Sequence, residues 1–446
     1  MAEALLNAVA ESVADHRRVL VAYSGGLDSS VLLHLVATLC QRDDKKGRTV
    51  RAAYVHHGLN PLADSWAEHC RDCCQQWQVP FAVLPVKVDT QNGGIEAAAR
   101  EARYQALSAH LQSDETLITA QHLDDQSETF LLALKRGSGP AGLSSMAARA
   151  QVDGHALIRP LLGFSRQQLV QYANEHQLSW IEDNSNQDER FDRNFLRLSV
   201  LPLLTQRWPH FASSVARSAQ LCAEQEQLLD ELLAESLHTL CQRDGALSIN
   251  GLIPLSATHR SALLRRWLAE QGVPMPSRDG LNRLWQEVAT SREDAEPVLQ
   301  FGSWQIRRFR QHLYILPLMS SLKSCILPWQ PQAGPLTLPD GLGTLALSDA
   351  GTVVRQPRLE EVVSIRFNVS GTVHIVGRAH GRQIKKLWQE LHVPPWWRDR
   401  TPIVFYDEQP IAALGQFVTR EGQVEENEPC WRIDWHKTNL AGCRVK

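Results

Sequence analysis

Apolar residues recur along the first 120 positions in two alternating rhythms. Arg18-Val-Leu-Val-Ala-Tyr23 is a short apolar run that ends in Ser24-Gly25-Gly26, and Ser29 to Leu39 then carries its apolar side chains at helical spacing. The same pairing returns: Val50 to His56 reads as strand, Asp64 to Gln76 as helix, Phe81 to Val88 as strand, Gly94 to His110 as helix and Thr116 to Ala120 as strand. Such alternation predicts an α/β fold with a parallel, Rossmann-like sheet, because each parallel strand needs a crossover helix to bring the chain back. Ligands of open parallel sheets sit beyond the carboxyl ends of the strands, which directs attention to residues 24–30, 54–58 and 119–125.

Beyond Leu198-Ser-Val-Leu-Pro-Leu-Leu204 the rhythm changes. Phe211 to Leu240, rich in Gln and Glu, keeps a helical period throughout and reads as a connecting helix. Residues 241–318 follow as a small mixed region, with helices at Ser261–Glu270 and Asp279–Thr290 and a strand pair at Val298–Phe301 and Ser303–Leu316. The Pro- and Gly-bearing stretch Leu327 to Gly343 reads as linker and turns, and 345–446 as an α+β module with one basic helix near Gln383 to Leu391. Three domains are expected: an α/β domain at 1–210, a helical and mixed middle domain at 211–325, and an α+β module at 345–446.

Composition changes this picture only by exclusion. A 446-residue chain with 43% hydrophobic and 21% charged residues is ordinary globular material, and no apolar run reaches the ~20 residues of a membrane helix. Nine cysteines, an odd number without the spacing of a secreted framework, predict reduced thiols in a cytoplasmic protein. The net charge of −3 hides an asymmetry: residues 1–250 hold 22 Lys and Arg against 30 Asp and Glu, while residues 301–400 hold 13 against 6. A late basic region of this kind is the electrostatic footprint that phosphate backbones require, although solvated surface charge would give the same count.

The strongest chemical signal is Ser24-Gly25-Gly26-Leu27-Asp28-Ser29-Ser30, between strand and helix. Two residues without Cβ let backbone N–H groups turn around an anion, Ser24, Ser29 and Ser30 add hydroxyls, and the following helix offers its positive end. A plain Gly-Gly turn explains the glycines but not the hydroxyls and the acid. Asp28 disfavours a bare anion, so its carboxylate makes most sense holding Mg²⁺ against a bound phosphate. At 54–58, Tyr-Val-His-His-Gly, the histidines His56 and His57 end the second strand. At 119–129 the segment Thr-Ala-Gln-His-Leu-Asp-Asp-Gln-Ser-Glu-Thr sets His122, Asp124, Asp125 and Glu128 at a helix opening, where capping accounts for one acid but not for the whole set.

The loop lacks the spacing of a Walker or dinucleotide motif and resembles instead the S-G-G-x-D-S type of PP-loop ATP enzymes, whose nucleotide fold is of the adenine nucleotide α-hydrolase-like class. Within that superfamily the chain resembles the tRNA(Ile)-lysidine synthase family. Lys135-Arg-Gly-Ser-Gly-Pro-Ala-Gly-Leu143 is similar to its R-G-S-G-x-x-G-L stretch, Arg193-Asn194-Phe195-Leu196-Arg197 to its R-N-x-[IL]-R element, and Gly94-Ile-Glu-Ala-Ala-Ala-Arg100-Glu-Ala-Arg103-Tyr104 to its E-A-x-A-R-x-x-R-Y helix. Residues 121–129 resemble its H-H-x-D-D-x-x-E-T, with Gln121 in place of the first histidine. The likeness continues through Gly381-Arg-Gln-Ile-Lys-Lys386 and Val393-Pro-Pro-Trp-Trp-Arg-Asp-Arg400.

The resemblance implies ATP-driven adenylation of the wobble cytidine of a CAU-anticodon isoleucine tRNA, followed by attack of L-lysine. It implies that residues 24–30, His56 and Thr119 hold ATP, that Asp28 and Asp125 hold Mg²⁺, and that Asp28, His122, Asp125 and Arg197 serve catalysis, with Asp125 or Glu128 taking the lysine proton. Arg100, Arg103, Arg136, Arg193, Asn194, Arg382, Lys385 and Arg398 are the expected RNA and substrate contacts, alongside Arg307, Arg308, Arg310, Arg378, Lys386 and Arg400; Trp396 and Trp397 read as a packed corner. A homodimer is left open. Two alternatives stand beside this reading: tRNA 2-thiolation through Cys70, Cys73 and Cys74, and a catalytically silent RNA-binding module.

Overall fold

Val19 and Val21 of the first strand pack toward one side of a sheet and Leu20 toward the other, and all three are fully buried. Burial on both faces is what a central parallel strand requires. The computed structural model describes residues 1–42, 47–88, 95–292, 295–426 and 428–438. These form two compact units, 1–229 and 230–446.

In the first unit the order is α1 (Ala2–Ser12), β1 (Arg18–Ala22), α2 (Leu27–Arg42), β2 (Thr49–His56), α3 (Ala63–Gln76), β3 (Phe81–Pro85), α4 (Ile95–His110), β4 (Glu115–Ile118) and α5 (Leu123–Lys135). Gly94, expected to open α4, lies outside the described residues. There follow the short α6 (Pro140–Leu143), the hairpin β5 (Arg149–Val152) and β6 (His155–Ile158), α7 (Arg166–Glu175) and α8 (Asp192–Phe195). A π-helical turn at Leu196–Val200 then leads into α9 (Leu201–Arg207) and the long α10 (Phe211–Leu240). The sheet order is β3-β2-β1-β4-β6-β5, parallel except for β5. From β1 the chain first winds outward through β2 and β3, then returns to β4 on β1's other side. The loops after β1 and β4 therefore diverge from adjacent strand ends, and that fork is where a ligand enters such a sheet.

The α/β fold and its strands appear as expected, with additions. Sequence reading passed over α1, the β5–β6 hairpin and α7. The hairpin turns at Asp153-Gly154, both at positive φ (45° and 84°), which suits the primed turns that match strand twist.

The unit boundary falls inside α10, so the expected middle and C-terminal domains share one compact unit. In that second unit, helices Ala257–Glu270 and 278–289 cover an antiparallel sheet around the fully buried Trp267. The expected strand 303–316 is two strands, Trp304–Phe309 and His312–Pro317, turning at Arg310 with φ 54°. The stretch 327–343, read as linker, instead supplies a strand, Ile326–Pro328, and the buried Trp329, Leu338 and Leu342 to the next core. That core lies under a five-stranded antiparallel sheet, and the basic helix is Ile384–Glu390. Among the described residues no helix is long and apolar enough to cross a membrane.

Candidate active site

The loop after β1 is held open from beneath. Gly25 has φ 77°, and a Cβ there would lie 2.6 Å from Ile181 Cδ1 and 2.8 Å from Cys70 Sγ. The Ile181 N–H donates to the Gly25 carbonyl at 2.8 Å, so a segment far along the chain seats the turn. Ile181 carries no recognisable sequence signal. The hydroxyls divide: Ser24 is exposed, whereas Ser29 donates to the Gly26 carbonyl (3.0 Å) and lies 3.0 Å from Ser24 Oγ. Ser30 is fully buried, 3.4 Å from both the Gly25 carbonyl and the Tyr23 hydroxyl, and thus stabilises the loop's shape from within. Leu27 is a core residue. The loop backbone with Ser24 and Asp28 is therefore what the turn leaves open to its surroundings.

Beyond β4, His122 caps α5. Its Nδ1 accepts from the Asp124 N–H at 3.2 Å, and Asp125 Oδ2 accepts from the His122 N–H at 3.0 Å, a reciprocal capping box. Nε2 faces two acids at once, Asp28 Oδ2 and Asp125 Oδ2, each at 3.5 Å. Burial alone would keep this ring neutral, the form in which Nδ1 accepts, but hydrogen bonds to Asp124 and Asp28 and the charge of Asp125 outweigh burial and push the imidazole up to about 10; in that protonated form Nδ1–H turns to Asp124 Oδ2, 3.4 Å away. The same Asp124 Oδ2 that lies 3.4 Å from His122 Nδ1 accepts from the Arg166 N–H of α7 at 2.7 Å.

Arg197 completes the cluster. Its Nε donates to Glu128 Oε1 at 2.6 Å, and its Nη2 to Glu128 Oε2 at 3.0 Å and to Asp125 Oδ1 at 3.1 Å. Glu128 has no exposed side-chain surface, and Arg193 lies 3.7 Å from its Oε2. Burial is the largest influence on Glu128 and leaves its carboxyl above the usual glutamate range despite Arg197, while the same pairing outweighs burial for Arg197 and holds the guanidinium charged. The π-helical turn that carries Arg197 is the kind of local irregularity often found at functional positions.

Asp28 Oδ1 is buried with no protein partner, the feature expected of a carboxylate that meets a cation. Asp125 has both oxygens engaged, and among the described residues no three His, Cys, Asp or Glu side chains form a ready-made metal cage. That combination fits Mg²⁺, which is commonly held by one or two carboxylates together with substrate phosphates.

Three family models match the chain: a PP-loop domain over residues 1–204, a TilS substrate binding domain over 247–314 and a TilS substrate C-terminal domain over 363–435. It is also 71% identical over 433 residues to the tRNA(Ile)-lysidine synthase of Pectobacterium atrosepticum, covering 97% of this chain and 98% of that protein. The chain belongs to the tRNA(Ile)-lysidine synthase family. Its relatives in Serratia proteamaculans and Shigella flexneri are 61% and 56% identical, covering 96% and 95% of this chain and 98% and 97% of theirs.

Other expected residues of this lysidine synthase family member are placed less uniformly. His56 binds Asp64 (3.0 Å), whereas both ring nitrogens of the neighbouring His57 are buried without a hydrogen-bond partner, and burial followed by the charge of Arg103 lowers that imidazole to about 4. Thr119 is buried and donates to the Gln121 carboxamide, so the residue in the family histidine's place is tied to the strand end. Arg100 lies over the Tyr104 ring at 5.1 Å, and Arg136 is exposed at the C-cap of α5.

Asn194, expected at the substrate, is employed within the fold: its Nδ2 donates to the Ser185 carbonyl at 2.9 Å and the Asp188 carbonyl at 3.0 Å. Asn194→Ala is expected to leave both carbonyls unsatisfied and to destabilise the first unit by about 1–3 kcal/mol, read as a lower urea midpoint at unchanged slope.

In the second unit many late arginines also serve the fold. Arg398 donates to the Val393 carbonyl (3.1 Å) and Glu296 (3.3 Å), Arg400 to the Ser320 carbonyl (2.8 Å) and Asp340 (2.7 Å), and Arg308 to the Ala289 and Ser291 carbonyls. Arg310 pairs with His392, and Arg378 with Glu390. Trp396 is buried against Phe309 and Tyr314, which accords with a packed corner. Exposed basic groups remain on and before the helix Ile384–Glu390: Lys385, Lys386, and Arg382, whose nearest acid, Glu390, is 3.8 Å away.

Proposed function

We propose that this protein ligates L-lysine to C2 of the wobble cytidine in the CAU anticodon of tRNA(Ile), consuming ATP in the cytoplasm. The observation that supports this most is the meeting of Asp28, His122, Asp125 and Arg197 at the fork between β1 and β4, beside the phosphate loop, in a chain of this family.

The loop amides and Ser24 hold the β- and γ-phosphates, and Asp28 is the residue that would hold Mg²⁺, which supplies charge neutralisation of the phosphates when bound. The nucleoside lies toward the end of β2, where His57, with two buried nitrogens lacking protein partners, is better suited than His56 to meet adenine. Cytidine O2 attacks the α-phosphorus, the α–β phosphoanhydride breaks and pyrophosphate leaves. The ε-amine of lysine then attacks C2, the C2–O2 bond breaks, and AMP departs with that oxygen.

Arg197, oriented by Glu128, is positioned for the negative charge that develops in both steps. Of the two acids considered for the lysine proton, Glu128 is sealed beneath Arg197, leaving Asp125, whose side chain is 14% exposed. Chemistry at C2 needs the base edge, so the cytidine is unstacked from the anticodon loop. The thiolation alternative loses support at its cysteines: Cys70, Cys73 and Cys74 are all buried in the core, and burial raises the Cys74 thiol to about 12 and the Cys70 thiol further.

The test is nucleoside mass spectrometry of an unmodified tRNA(Ile) CAU transcript incubated with the protein, ATP, Mg²⁺ and lysine. The wobble cytidine is expected to gain the mass of lysine less water, only when ATP is present. An unmodified cytidine from protein that binds ATP and the tRNA would contradict the reading.

A further inference from the structure

The segment that delivers Arg197 is amphipathic in the inverted sense. Arg193 and Arg197, one turn apart, turn inward onto the buried Glu128, and Asn194 is pinned beneath by two backbone carbonyls. Phe191 and Phe195 are also one turn apart, joined by the hydrogen bond from the Phe195 N–H to the Phe191 carbonyl at 3.0 Å. They therefore share a face. That face is exposed, with Phe191 at 38% and Phe195 at 46% of full accessibility. A short element that buries its charges and leaves its aromatic rings in water pays a hydrophobic cost that its own fold does not recover.

The surroundings restrict what can cover the rings. Arg136, at the end of α5, is an exposed cation, while Arg190, next to Phe191, is exposed but bonded to Asp188 at 2.6 Å and Lys135 reaches Asp192 across the same junction at 2.6 Å. A planar, π-faced ligand carried on a polyanion satisfies both the rings and the cations, and single-stranded RNA is such a ligand. The face is also continuous in sequence with the reacting cluster, since Phe195 is separated from Arg197 only by Leu196.

We propose that Phe191 and Phe195 form a stacking platform for unpaired bases of the anticodon loop, holding the loop open so that the wobble cytidine can turn toward Asp125 and Arg197. This rests on the proposed function, and it adds residues that read RNA by stacking where the motif arginines act by charge. It also accounts for the inward turn of Asn194: pinning the 185–188 turn fixes the angle at which the rings are presented.

The test compares Phe195→Ala, Phe195→Leu and Phe195→Trp, and the same three changes at Phe191, in the full-length protein. Steady-state lysine incorporation is measured with varied tRNA and with varied ATP, alongside binding of a CAU anticodon stem-loop RNA. The Ala and Leu variants are expected to raise KM for tRNA and weaken stem-loop binding by about 5- to 150-fold, with KM for ATP unchanged, because one base–aromatic stack is worth that much. Trp is expected to restore binding, and its fluorescence to be quenched by the stem-loop. Leu variants equal to the parent chain would overturn the proposal, since bulk without a π-face would then suffice. So would Ala variants that bind RNA normally but change the sedimentation of the protein, which would assign the face to a protein contact. A parent chain that forms lysidine while these variants behave as wild type leaves the proposed function standing and removes only the platform.

Discussion

An Asp28→Asn chain is expected to fold, to bind tRNA as the parent does, and to incorporate lysine on the order of 10³-fold more slowly, the rate equivalent of about 4 kcal/mol of lost charge stabilisation at the phosphates. The substitution preserves volume and removes only the charge. Asp28 is the one acid of the cluster with an oxygen that is buried and unpartnered, so no protein contact stands to be lost at that atom. Nε2 of His122 loses one of its two carboxylate neighbours but keeps Asp125 at 3.5 Å, and the capping box on α5 is untouched. Single-turnover lysine incorporation with saturating protein, paired with tRNA filter binding, separates the effects. Turnover within tenfold of the parent would remove Asp28 from the phosphate chemistry.

Glu128→Ala acts through stability as well as rate. Glu128, which has no exposed side-chain surface, neutralises the 30% exposed Arg197 by two hydrogen bonds, with Arg193 close by. Removing one partner of a buried ion pair leaves the other charge uncompensated and costs about 3–5 kcal/mol, a large share of the stability of an ordinary domain. Arg197 then retains the hydrogen bond to Asp125. Glu128→Gln is expected to recover part of the loss, because the amide oxygen still accepts from the guanidinium. Urea unfolding followed by tryptophan fluorescence checks the order parent, Gln, Ala; an Ala variant as stable as the parent would show that the pair is not buried in solution.

The parts of the site that were legible in the sequence are those built by neighbours. Gly25, Gly26, Ser24 and Asp28 occupy consecutive positions, and the strand and helix around them are periodic, so the phosphate loop could be argued from local chemistry. The remainder is assembled across distance. Arg197 and Glu128 lie on different elements, and only a motif resemblance joined them before the structure did. Ile181 could not be found by motif at all, since a buttress needs only shape. Charge was the least legible property: Arg398 and Arg400 look like RNA ligands in a basic stretch, yet their guanidinium groups are bonded to carbonyls and carboxylates of the fold. Conversely, the Asp153-Gly154 hairpin was written in the sequence, as a turn dipeptide between two four-residue strands, and the shortness of those strands concealed it.

The seating of Gly25 on Ile181 has a consequence for the order in which the protein is made. The phosphate loop leaves a ribosome before the strands β2 to β6, and the parallel strands are complete once Ile158 has emerged. The peptide N–H that fixes the Gly25 carbonyl comes later, and Arg197 later still. A nascent chain thus completes the strands of its sheet an interval before the segment after α7 can seat the turn at Gly25.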